Sequence, residues 1–588
     1  MKNQELAKIF SEIAIFLEME KVSFRSISYE RAALNLETLE KDVEEVYKNE
    51  GIKGLEEIPG IGVNLARKIE EYLKTGKIRL YQELKKKTPV DLENLIAVEG
   101  IGPKMVRDLW HHLKIRNLKD LERAVKAKKI RTLPHFGEKT EANILQGIEF
   151  LKKSKGRFLL GEILPAVQEI ILKLGALKQV KRVSLAGSLR RRKETIGDAD
   201  ILAISKKPKK VVDFFTSLPD VAKVWGRGST KASIRMKQGF DIDLRIIPEK
   251  SYGAALQYFT GSKEHNIATR KIAIEKGLKL NEYGLFRGKK MIASQKEEDV
   301  YKALSIPFIE PELRENQGEI EAAFRQAQGK LPGLPHLIGY KDVLGDLHCH
   351  SSWDGGRNTI LEMAEAGQSM GYQYLGIADH TKFLRIERGL DEKQLLRQRQ
   401  EIDKLNREFK DRGLKFRILQ GCEANILKDG SIDIKDEILK ELDFVIAGIH
   451  SNMKMARIQM TKRLIRAMEN PNVDIISHPT GRILKRRDEY QTDFPALLRA
   501  AKKTKTILEI NAFPDRLDLN DSKIRQAKEV GVKMVINTDA HSKEHLSLMG
   551  FGVSQARRGW LEKQDIVNAW PLDKLLKFLK KCVKYKNV

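Results

Sequence analysis

The feature that most constrains the fold of this 588-residue chain is a series of seven short apolar runs in its C-terminal third. Each run ends in a side chain of the kind that binds metal ions, and helical stretches such as 392–410 separate several of them. Buried parallel strands are typically short apolar runs that alternate with helices, and polar residues at their carboxyl ends mark the active face of a (β/α) barrel. The pattern therefore predicts a barrel-like domain whose ligands converge at one mouth. The runs span residues 345–350, 374–380, 418–423, 444–450, 474–478, 507–511 and 534–541.

Eight polar side chains at the ends of these runs are candidate metal ligands: His348, His350, His380, Glu423, His450, His478, Asp539 and His541. A single histidine at a strand end is more often a hydrogen-bonded core residue, but eight ligand-type residues at equivalent places argue against that interpretation. On a strand, His348 and His350 face one way, as do Asp539 and His541, whereas Cys349 points away. The mixture of histidine and carboxylate suits Zn²⁺ or Mn²⁺. Several such ions bridged by a phosphate would activate water for phosphoester hydrolysis.

A separate group of acids lies in the middle of the chain. Asp198 and Asp200 stand two apart shortly after Gly187-Ser188, and Asp243 stands in a run of similar pattern. Residues i and i+2 of a strand face the same way, so the three carboxylates can gather on one side of a sheet. Such a cage can hold two divalent cations on the attacking and leaving oxygens of a phosphoryl transfer. Asp241 lies on the same face as Asp243, so the residues alone leave two candidates for the third ligand.

The N-terminal segment contains an internal repeat at 55–69 and 95–109, with a looser third copy at 133–144. In the first two copies an apolar residue is followed by a tight glycine turn and then by the start of a helix. This order is the helix-hairpin-helix pattern. Glycine permits the tight turn. The backbone amides at the start of the next helix favour binding of a DNA phosphate, and such contacts do not depend on the base sequence. His135-Phe136 replaces the glycine step in the third copy, whose role is then open to a purely structural interpretation. The predicted DNA-binding residues are Gly60, Gly62, Gly100, Gly102 and Lys104.

Charge and composition agree with a nucleic-acid partner. Lysine and arginine outnumber aspartate and glutamate by 108 to 81, which gives a net charge of +27 at pH 7 and favours a polyanion. The length suggests about three to five folding units of roughly 100–200 residues. No segment approaches the roughly 18 uninterrupted apolar residues of a membrane span, the N-terminus lacks a signal-peptide pattern, and three cysteines cannot form a disulfide framework. We expect a cytoplasmic monomer with no membrane partner.

The central residues resemble a known family. The stretches 187–200 and 251–262, followed by His265-Asn266 and Arg270, are similar to the palm and adjoining region of the family X DNA polymerases. The resemblance implies Mg²⁺ or Mn²⁺ on Asp198, Asp200 and Asp243, and it favours Asp243 over Asp241. Arg192 stands where the family often has glycine, which affects the local phosphate contacts. The residues implied at the nucleotide are Ser188 and Arg191 at the triphosphate, Tyr258, Phe259 and Gly261 along the sugar, Asn266 and Arg270 near the nascent base pair, and Gly187 and Gly197 as further nucleotide-binding positions.

The first hairpin copy also resembles the small lyase domain of animal family X repair polymerases. In that comparison Lys68 falls on the amine that attacks an abasic sugar as a Schiff base, with Tyr29 and Arg25 at flanking positions. A lysine near a helix start is equally a phosphate contact. Both interpretations of Lys68 stay open here.

The C-terminal runs resemble the PHP (polymerase and histidinol phosphatase) family over about 230 residues. The resemblance implies a three-metal centre that uses the eight ligands named above, holding Mn²⁺ and/or Zn²⁺. One position departs from the pattern, because Gly355 stands where polymerase-linked members have an aspartate. Either Asp354 shifts into its place, or one metal is weakly bound or absent.

These parts predict a multidomain chain of α+β and α/β class. Its predicted domains are a lyase-like helical domain with the first hairpin (1–88), a second helical DNA-binding domain (89–152), a nucleotidyltransferase palm (153–250), a nucleotide-binding thumb-like domain (251–316), a linker (317–340) and a PHP barrel-like domain (341–577).

The resemblances imply a polymerase that fills gaps during base excision repair, acting on gapped or primed DNA with dNTPs. They add a metal-dependent 3′–5′ exonuclease, with abasic-site endonuclease, 3′-phosphatase and abasic-site lyase as further activities. The main alternative is a repair nuclease or phosphatase whose polymerase portion only binds DNA. A non-catalytic scaffold and a tRNA-tailing nucleotidyltransferase are weaker alternatives, because the acids, histidines and hairpins are nearly all present.

Overall fold

The computed structural model describes residues 2–20, 23–39, 41–58, 60–96, 98, 101–134, 136–138, 140–142, 144–145, 147–148 and 157–579. These residues form two compact units. The first comprises the described parts of Met1–Phe158, Ile171–Gly187 and Gly197–Phe308; the second comprises those of Leu159–Ile170, Ser188–Ile196 and Ile309–Val588. None of the described helices is both long enough and apolar enough to cross a bilayer.

The first unit begins with amphipathic helices that surround a common core. They are α1 (Lys2–Met19), α2 (Ser23–Thr38), α3 (Val43–Glu56), α4 (Val63–Thr75), α5 (Arg79–Lys87), α6 (Leu92–Ile96), α7 (Pro103–Leu113) and α8 (Leu118–Lys126), with a 3₁₀ turn at Ile130–Thr132. In α4 the buried residues Leu65, Ala66 and Ile69 recur at helical spacing and form one apolar face. One continuous core runs from Leu6 to Ile148. The predicted helical domains 1–88 and 89–152 therefore share a core among their described residues.

The palm is a mixed five-stranded sheet. Its strands are β2 (Val180–Leu185), β4 (Asp198–Ser205), β5 (Val221–Arg227), β6 (Lys231–Met236) and β7 (Asp241–Ile246), in the order β2-β4-β7-β6-β5. Strands β4 and β7 run parallel, and the other neighbours are antiparallel. Two short strands, β1 (Phe158–Leu159) and β3 (Thr195–Ile196), and the helices α9 (Leu160–Gly175), α10 (Gly187–Arg190) and α11 (Pro208–Thr216) lie in this part of the chain. The alternation of buried and exposed residues along β4 and β7 sends their carboxylates to one face.

The thumb-like region packs two helices against a small antiparallel sheet. Its elements are a 3₁₀ turn at Glu249–Ser251, α12 (Tyr252–Thr260), α13 (Lys263–Glu275), β8 (Lys279–Asn281), β9 (Gly284–Arg287), β10 (Lys290–Ala293) and α14 (Glu297–Ala303). Helix α12 is buried along most of its length, since Gly253, Ala254 and Ala255 allow close packing on several sides. The residue after α12 is Gly261, which has a φ of +65° that favours glycine.

The C-terminal runs form a closed parallel barrel, as predicted. The strands are β11 (Gly345–Cys349), β12 (Tyr374–Ile377), β13 (Arg417–Gln420), β14 (Glu423–Asn425), β15 (Ile446–Gly448), β16 (Ile475–Ile476), β17 (Ile507–Asn511) and β18 (Met534–Asn537). The third run is broken at Gly421-Cys422, so it supplies both β13 and β14. Neighbouring strands pair in the orders β11-β12-β13 and β14-β15-β16-β17-β18, and two parallel bridges, His380–Glu423 and Cys349–Ala540, join these two sheets into a ring.

The barrel has an inner core and an outer core, both apolar. The inner core includes Leu347, Phe444 and Val535, and Trp570 and Leu575 belong to the same cluster. The outer core lies between the strands and the surrounding helices. Those helices are α16 (Ile360–Ser369), α17 (Glu392–Asp411), α18 (Asp436–Leu439), α19 (Arg457–Glu469), α20 (Phe494–Thr504), α21 (Asp521–Val530), α22 (Met549–Arg558) and α23 (Leu572–Phe578).

The segment 317–340, interpreted from its composition as a linker, contains a packed helix instead. Helix α15 spans Glu319–Ala327 and buries Ile320, Ala322 and Ala323. The carboxylate of Glu319 accepts hydrogen bonds from the amides of Asn316 and Gln317 at 2.8 and 2.7 Å. Apolar residues at helical spacing and a capping carboxylate outweigh the Pro and Gly residues that follow.

Two of the predicted ligands do not follow simple strand geometry. Strand β18 ends at Asn537, and Asp539 has a left-handed φ of +56°. His478 also has a positive φ, of +29°. Non-glycine residues rarely adopt such conformations, which tend to occur where a site fixes the backbone. The alternation rule applied to Asp539 and His541 was therefore the wrong reason for placing them together.

Candidate active sites

The palm places its acids directly opposite one another on two parallel strands. Asp198 of β4 pairs in register with Asp241 of β7, and Asp200 pairs with Asp243. Cross-strand neighbours on one face lie within about 5 Å at their Cβ atoms, so the four side chains share one surface. This is the grouping of carboxylates that the sequence predicted.

Asp241 and Asp243, the two candidates for the third ligand, differ in their contacts. Both carboxylate oxygens of Asp241 are held by Arg235, at 2.8 Å from Nε and 2.7 Å from Nη2, and Trp225 donates a further hydrogen bond at 3.1 Å. Asp243 has looser cationic neighbours, Lys231 at 3.5 Å and Arg245 at 4.0 Å. A bidentate arginine pair is hard to displace. Asp243 is therefore the carboxylate that remains available to a cation.

The electrostatics of this surface suit a divalent cation. Burial, reinforced by the negative charge of Asp243, raises the pKa of Asp198. The carboxylates of Asp198, Asp200 and Asp243 are nevertheless not gathered as tightly as a metal cage, since the described groups of three ligand atoms within 4.8 Å all lie in the C-terminal barrel. Like charges repel, and a divalent ion between them would draw them together.

Gly187 fits closely beneath Asp200. It has a φ of +59°, and a side chain here would overlap the Oδ2 atom of Asp200, with Cβ only 3.3 Å from Cγ. Glycine is thus required at this turn for both conformation and space. Gly197 directly precedes β4 and leads into Asp198.

Ser188 and Arg191, implied as triphosphate contacts, belong to the second unit. There Arg191 Nε lies 3.1 Å from Glu315 Oε1, and Arg558 Nη1 lies 3.0 Å from the same oxygen. The backbone oxygen of Ser188 accepts from the amide of Lys193 at 3.1 Å. The roles of Ser188 and Arg191 at a triphosphate stay predictions.

The predicted sugar and base contacts are held in place by one another. The rings of Tyr258 and Phe259 meet edge to face, with centroids 5.1 Å apart. Asn266 donates to the backbone oxygen of Tyr258 at 2.7 Å and accepts from Gln257 at 2.9 Å, so its amide is already committed. Arg270 donates to the backbone oxygen of Asn266 at 3.1 Å. This network orients the segment, whereas its contacts to a nucleotide remain predicted.

The hairpin repeats share a common turn. The amides of Ile61, Ile101 and Phe136 each donate to the carbonyl three residues earlier, at 2.9, 3.0 and 3.1 Å. Gly62 and Gly102 occupy the N-cap positions of α4 and α7, where they offer no capping side chain. The first amides of these helices are thereby left for another acceptor such as a phosphate.

The individual hairpin residues differ in what the structure shows of them. Gly60 has a φ of +78°, and a side chain there would overlap the amide of Asn35. Lys104 is exposed in the first turn of α7. Gly100 and His135 lie outside the described residues. In the third copy Glu141 accepts from the amides of Ile130 and Arg131, which fits a structural role.

The C-terminal barrel brings all eight predicted ligands together at the carboxyl ends of its strands. The six imidazoles form a nearly continuous ring, with centroids 4.1 Å apart for His350 and His541 and 4.4 Å for His350 and His380. His450 lies 5.4 Å from His380 and 5.3 Å from His478. The ring continues from His478 to His348 at 6.5 Å and from His348 to His350 at 5.1 Å.

Glu423 is the carboxylate at the centre of this ring. It is 1% exposed, and its oxygens lie within 3.3 Å of His348 Nε2, His380 Nδ1, His450 Nε2 and His478 Nε2. Burial acts to raise the pKa of Glu423, but the surrounding imidazoles outweigh it and hold that pKa well below its ordinary value. For His348, burial acts to lower the pKa. The negative charges of Glu509, Glu423 and Asp539 outweigh it and raise the pKa of His348 well above its ordinary value.

These residues fit a cluster of metal ions. His348 Nε2, His350 Nε2 and His380 Nδ1 are buried and lack hydrogen bonds, although carboxylate oxygens lie nearby. Buried polar atoms normally find a partner, and lone pairs aimed at a shared point are the arrangement that a cation satisfies. Four overlapping triplets among the described residues have their ligand atoms within 4.8 Å: His350-His380-His541, His348-His350-Asp539, His380-Glu423-His450 and His350-Asp354-Asp379. His478 is connected to these groups through Glu423, because its Nε2 lies 2.9 Å from Oε1 of that carboxylate.

Sequence reasoning did not predict the hydrogen bonds that orient three of the histidines. His348 Nδ1 lies 2.7 Å from Glu509 Oε1, His350 Nδ1 lies 2.7 Å from Asp354 Oδ2, and His450 Nδ1 lies 2.7 Å from Asn425 Oδ1. A hydrogen bond at one ring nitrogen fixes the tautomer and aims the other at a metal. Glu509 belongs to a recognised apolar run, and a buried acid within a strand is the signal that would have identified it.

We expect Glu509→Gln to weaken Mn²⁺ binding at this centre by about 10–100-fold, because Gln cannot accept the His348 proton as a carboxylate does. Equilibrium dialysis of Mn²⁺ against the full chain measures the effect. Glu437→Gln, at an exposed helix position, serves as the control. Unchanged affinity in a Glu509→Gln protein with wild-type thermal stability would remove Glu509 from this role.

Four protein-family models match parts of the chain. Residues 1–78 match the helix-hairpin-helix domain family, and residues 92–149 match the SAM-like helix-hairpin-helix tandem. Residues 255–315 match the DNA polymerase beta thumb, and residues 346–513 match the PHP domain. Each match falls within one of the predicted domains.

The chain is similar to three named proteins over different lengths. It is 36% identical to the DNA polymerase/3′–5′ exonuclease PolX of Bacillus subtilis, over 99% of this chain and 100% of that protein. It is 26% identical to DNA polymerase lambda of Rattus norvegicus, over 44% of this chain and 48% of that protein. A probable phosphatase of Clostridium acetobutylicum is 32% identical over 33% of this chain and 78% of its own length.

Proposed function

Because the chain belongs to the family X DNA polymerases that carry a C-terminal PHP domain, we propose that it is a DNA polymerase that fills gaps in damaged DNA and carries a 3′–5′ exonuclease. Gapped or primed DNA and dNTPs are the proposed substrates of the first activity. A DNA 3′ end is the proposed substrate of the second. The +27 net charge supports a nucleic-acid partner for both.

The observation that carries the polymerase proposal is the pairing of Asp200 with Asp243 across β4 and β7. Asp198 and Asp200 would hold two divalent ions and Asp243 one of them. Bound there, the ions would supply positive charge at the attacking and leaving oxygens. The proposed role of Asp243 is to position the primer 3′-OH and favour its deprotonation, while Arg235 keeps Asp241 out of the reaction.

The hydrolytic proposal depends on the ring of histidines around Glu423. These residues and Asp539 would hold a cluster of Mn²⁺ or Zn²⁺ ions, which activates water for phosphoester hydrolysis when bound. The protein's own contribution is orientation: Glu509, Asp354 and Asn425 fix the imidazoles whose free nitrogens point inward. Arg516 Nε, 3.7 Å from Asp539, adds a positive charge beside the centre.

A single gapped duplex tests the two activities together. A 5′-labelled primer at the gap is incubated with the wild-type chain and Mg²⁺ or Mn²⁺, with and without dNTPs. We expect lengthening of the label with dNTPs and stepwise shortening without them. A chain that only shortens the primer, under every metal condition, would support the alternative of a nuclease whose polymerase portion binds DNA.

The similarity of the barrel to probable phosphatases favours a second reaction at the same centre, removal of a 3′-phosphate. A primer that ends in a 3′-phosphate would be extended only after that group is hydrolysed. Extension of such a primer by the wild-type chain, with release of inorganic phosphate, is the expected result. Extension of a 3′-OH primer combined with no phosphate release would exclude this reaction.

A lyase reaction is also proposed for Lys68. Its Nζ lies 2.9 Å from Glu71 Oε2, and both side chains are about 30% exposed or less. Schiff-base formation joins the amine to the C1′ aldehyde of an abasic sugar and releases water, so the ammonium must first lose a proton. Glu71 is placed to accept that proton.

We expect Lys68→Ala to lower the yield of borohydride-trapped adduct with abasic DNA by at least about tenfold, because it removes the attacking amine. Lys74→Ala is the matched control: it lies on the same helix and pairs with Glu70 at 2.8 Å. Equal adduct yields for the wild type and Lys68→Ala would leave Lys68 as a phosphate contact only.

A further inference from the structure

We propose that Arg516 binds the phosphate that is hydrolysed at the C-terminal centre, by donating hydrogen bonds from its guanidinium to the non-bridging oxygens. The inference rests on the proposed hydrolytic function of that centre, and it adds a residue that contacts the substrate. Arg516 is neither a predicted metal ligand nor one of the residues that orient the imidazoles. Its proposed ligand is the phosphodiester at the 3′ end of a DNA strand.

Arg516 lies at the edge of the candidate metal ligands. Its Nε lies 3.7 Å from Oδ2 of Asp539, and Oδ1 of the same carboxylate lies 3.3 Å from His350 Nε2. A phosphate that is hydrolysed among these ligands therefore arrives beside the guanidinium.

The backbone and a second arginine fix the loop that carries Arg516. This loop follows β17 and closes on itself, because Asn511 and Asp518 form an antiparallel bridge. The guanidinium of Arg482 donates to the backbone oxygen of Leu517. A donor carried by a fixed loop loses little conformational freedom when it binds an anion, so less of the binding free energy is lost to ordering.

The guanidinium of Arg516 has a donor without an acceptor. Its Nη1 is buried and has no hydrogen-bond partner among the residues that the structure describes, although the side chain as a whole is 22% exposed. Asp539, at 3.7 Å from Nε, is too far away for a hydrogen bond. Buried donors are normally paired, since an unmade hydrogen bond is unfavourable. A phosphate oxygen provides the missing acceptor, and guanidinium and phosphate form strong, charge-assisted hydrogen bonds.

A further arginine, Arg487, adds positive charge at this place. Burial, and after it the positive charge of Arg516, lowers the pKa of Arg487. Asp518, an acid of the same loop as Arg516, accepts from the hydroxyl and the amide of Thr480 at 2.8 and 3.0 Å, so both its oxygens are engaged. Two neighbouring guanidiniums repel each other, and a bound anion offsets that repulsion.

The proposed role of Arg516 is to hold the phosphate and not to transfer a proton. In 3′ shortening, water adds to phosphorus and the bond from phosphorus to the 3′ oxygen breaks. The products are a strand with a 3′-OH and a nucleoside 5′-phosphate. The non-bridging oxygens carry negative charge throughout, and fixed donors aimed at them stabilise the transition state.

Four versions of the full chain test the inference: the wild type, Arg516→Ala, Arg516→Lys and the control Arg412→Ala. Arg412 is exposed and precedes the amino end of β13, whereas the centre lies at the carboxyl ends of the strands. Calorimetry measures the affinity of each protein for Mn²⁺. Release of labelled mononucleotide from a 3′-labelled strand is then followed at saturating Mn²⁺, under single-turnover conditions.

We expect Arg516→Ala to slow 3′ shortening by roughly 10²–10³-fold while its Mn²⁺ affinity stays at the wild-type value. Free guanidinium ion should restore part of the rate lost in Arg516→Ala and should not accelerate the wild type. Arg516→Lys should have an intermediate rate, because lysine keeps the charge but not the paired donors. Arg412→Ala should match the wild type in rate and in Mn²⁺ affinity.

Two results would overturn the inference. One is a wild-type rate of 3′ shortening in Arg516→Ala or, if that variant fails to fold, in Arg516→Lys. The other is a slower reaction that guanidinium does not restore and that coincides with weaker Mn²⁺ binding, since Arg516 would then serve only to hold Asp539.

Titration of the Mn²⁺-loaded proteins with inorganic phosphate separates this inference from the proposed function. We expect Arg516→Ala to bind inorganic phosphate about tenfold more weakly than the wild type, or worse. Equal phosphate affinities would contradict the role of Arg516. A wild type that binds phosphate through Arg516 and yet leaves DNA 3′ ends intact would contradict the proposed exonuclease and leave the phosphate site standing.

Discussion

We expect Asp200→Ala to abolish primer extension, with a loss of roughly 10²–10³-fold or more in the rate of nucleotide addition, and to leave 3′ shortening at the wild-type rate. The magnitude follows from its position: Asp200 is paired in register with Asp243, and both would serve the ions that stabilise the charge developing in phosphoryl transfer. Alanine also opens space above Gly187, whose close contact with Asp200 defines this turn. Single-nucleotide incorporation on gapped DNA, under single-turnover conditions, measures the loss.

Two controls make the Asp200 result specific. Asp213→Ala removes an acid of the same domain that pairs with Arg227 at the surface, and it should extend primers normally. Asp241→Asn should reduce activity less than Asp243→Asn, because Asp241 is already engaged by Arg235 and Trp225. If Asp241→Asn were the more damaging of the two, the assignment of the third ligand would be reversed.

We expect Glu423→Gln to abolish 3′ shortening, with a loss of roughly 10²–10⁴-fold, and to leave primer extension intact. Four imidazole nitrogens lie within 3.3 Å of the Glu423 oxygens, and their charges lower the pKa of this carboxyl despite its burial. Glutamine keeps the volume and removes the negative charge that would hold neighbouring ions. Release of labelled mononucleotide from a 3′-labelled strand measures the effect.

The Glu423 variant requires a check on folding, because a buried charge is being replaced. Glutamine has nearly the same shape, and the inner and outer barrel cores do not include Glu423, so we expect the apo melting temperature to change by only a few degrees. Glu408→Gln, on the exposed side of α17, should have no effect on either activity. Retention of more than about half of the exonuclease rate in a folded Glu423→Gln protein would contradict a metal cluster centred on this residue.

The sequence predicted those parts of the fold and sites that depend on local pattern. The seven apolar runs became the parallel barrel strands, since a short buried run has few other ways to satisfy its backbone. Asp198, Asp200 and Asp243 faced one way because strand residues alternate. The barrel ligands were recognisable because each occupied the same place in its run.

What the sequence did not predict depends on contacts between distant residues. The contacts that favour Asp243 over Asp241 as the third ligand come from Arg235 and Trp225, which no local pattern links to Asp241. Helix α15 in the segment 317–340 was missed because Pro and Gly nearby outweighed its apolar spacing. The left-handed backbone conformation of Asp539 could not be predicted from the alternation of side chains along a strand.

The central claim is that one chain holds two chemically independent active sites, one built on paired carboxylates and one on a histidine ring. It is tested most directly by assaying Asp200→Ala and Glu423→Gln on the same end-labelled gapped duplex, each with and without dNTPs. We predict a reciprocal pattern, in which Asp200→Ala only shortens the label and Glu423→Gln only lengthens it. Loss of both activities from either folded variant would contradict the claim.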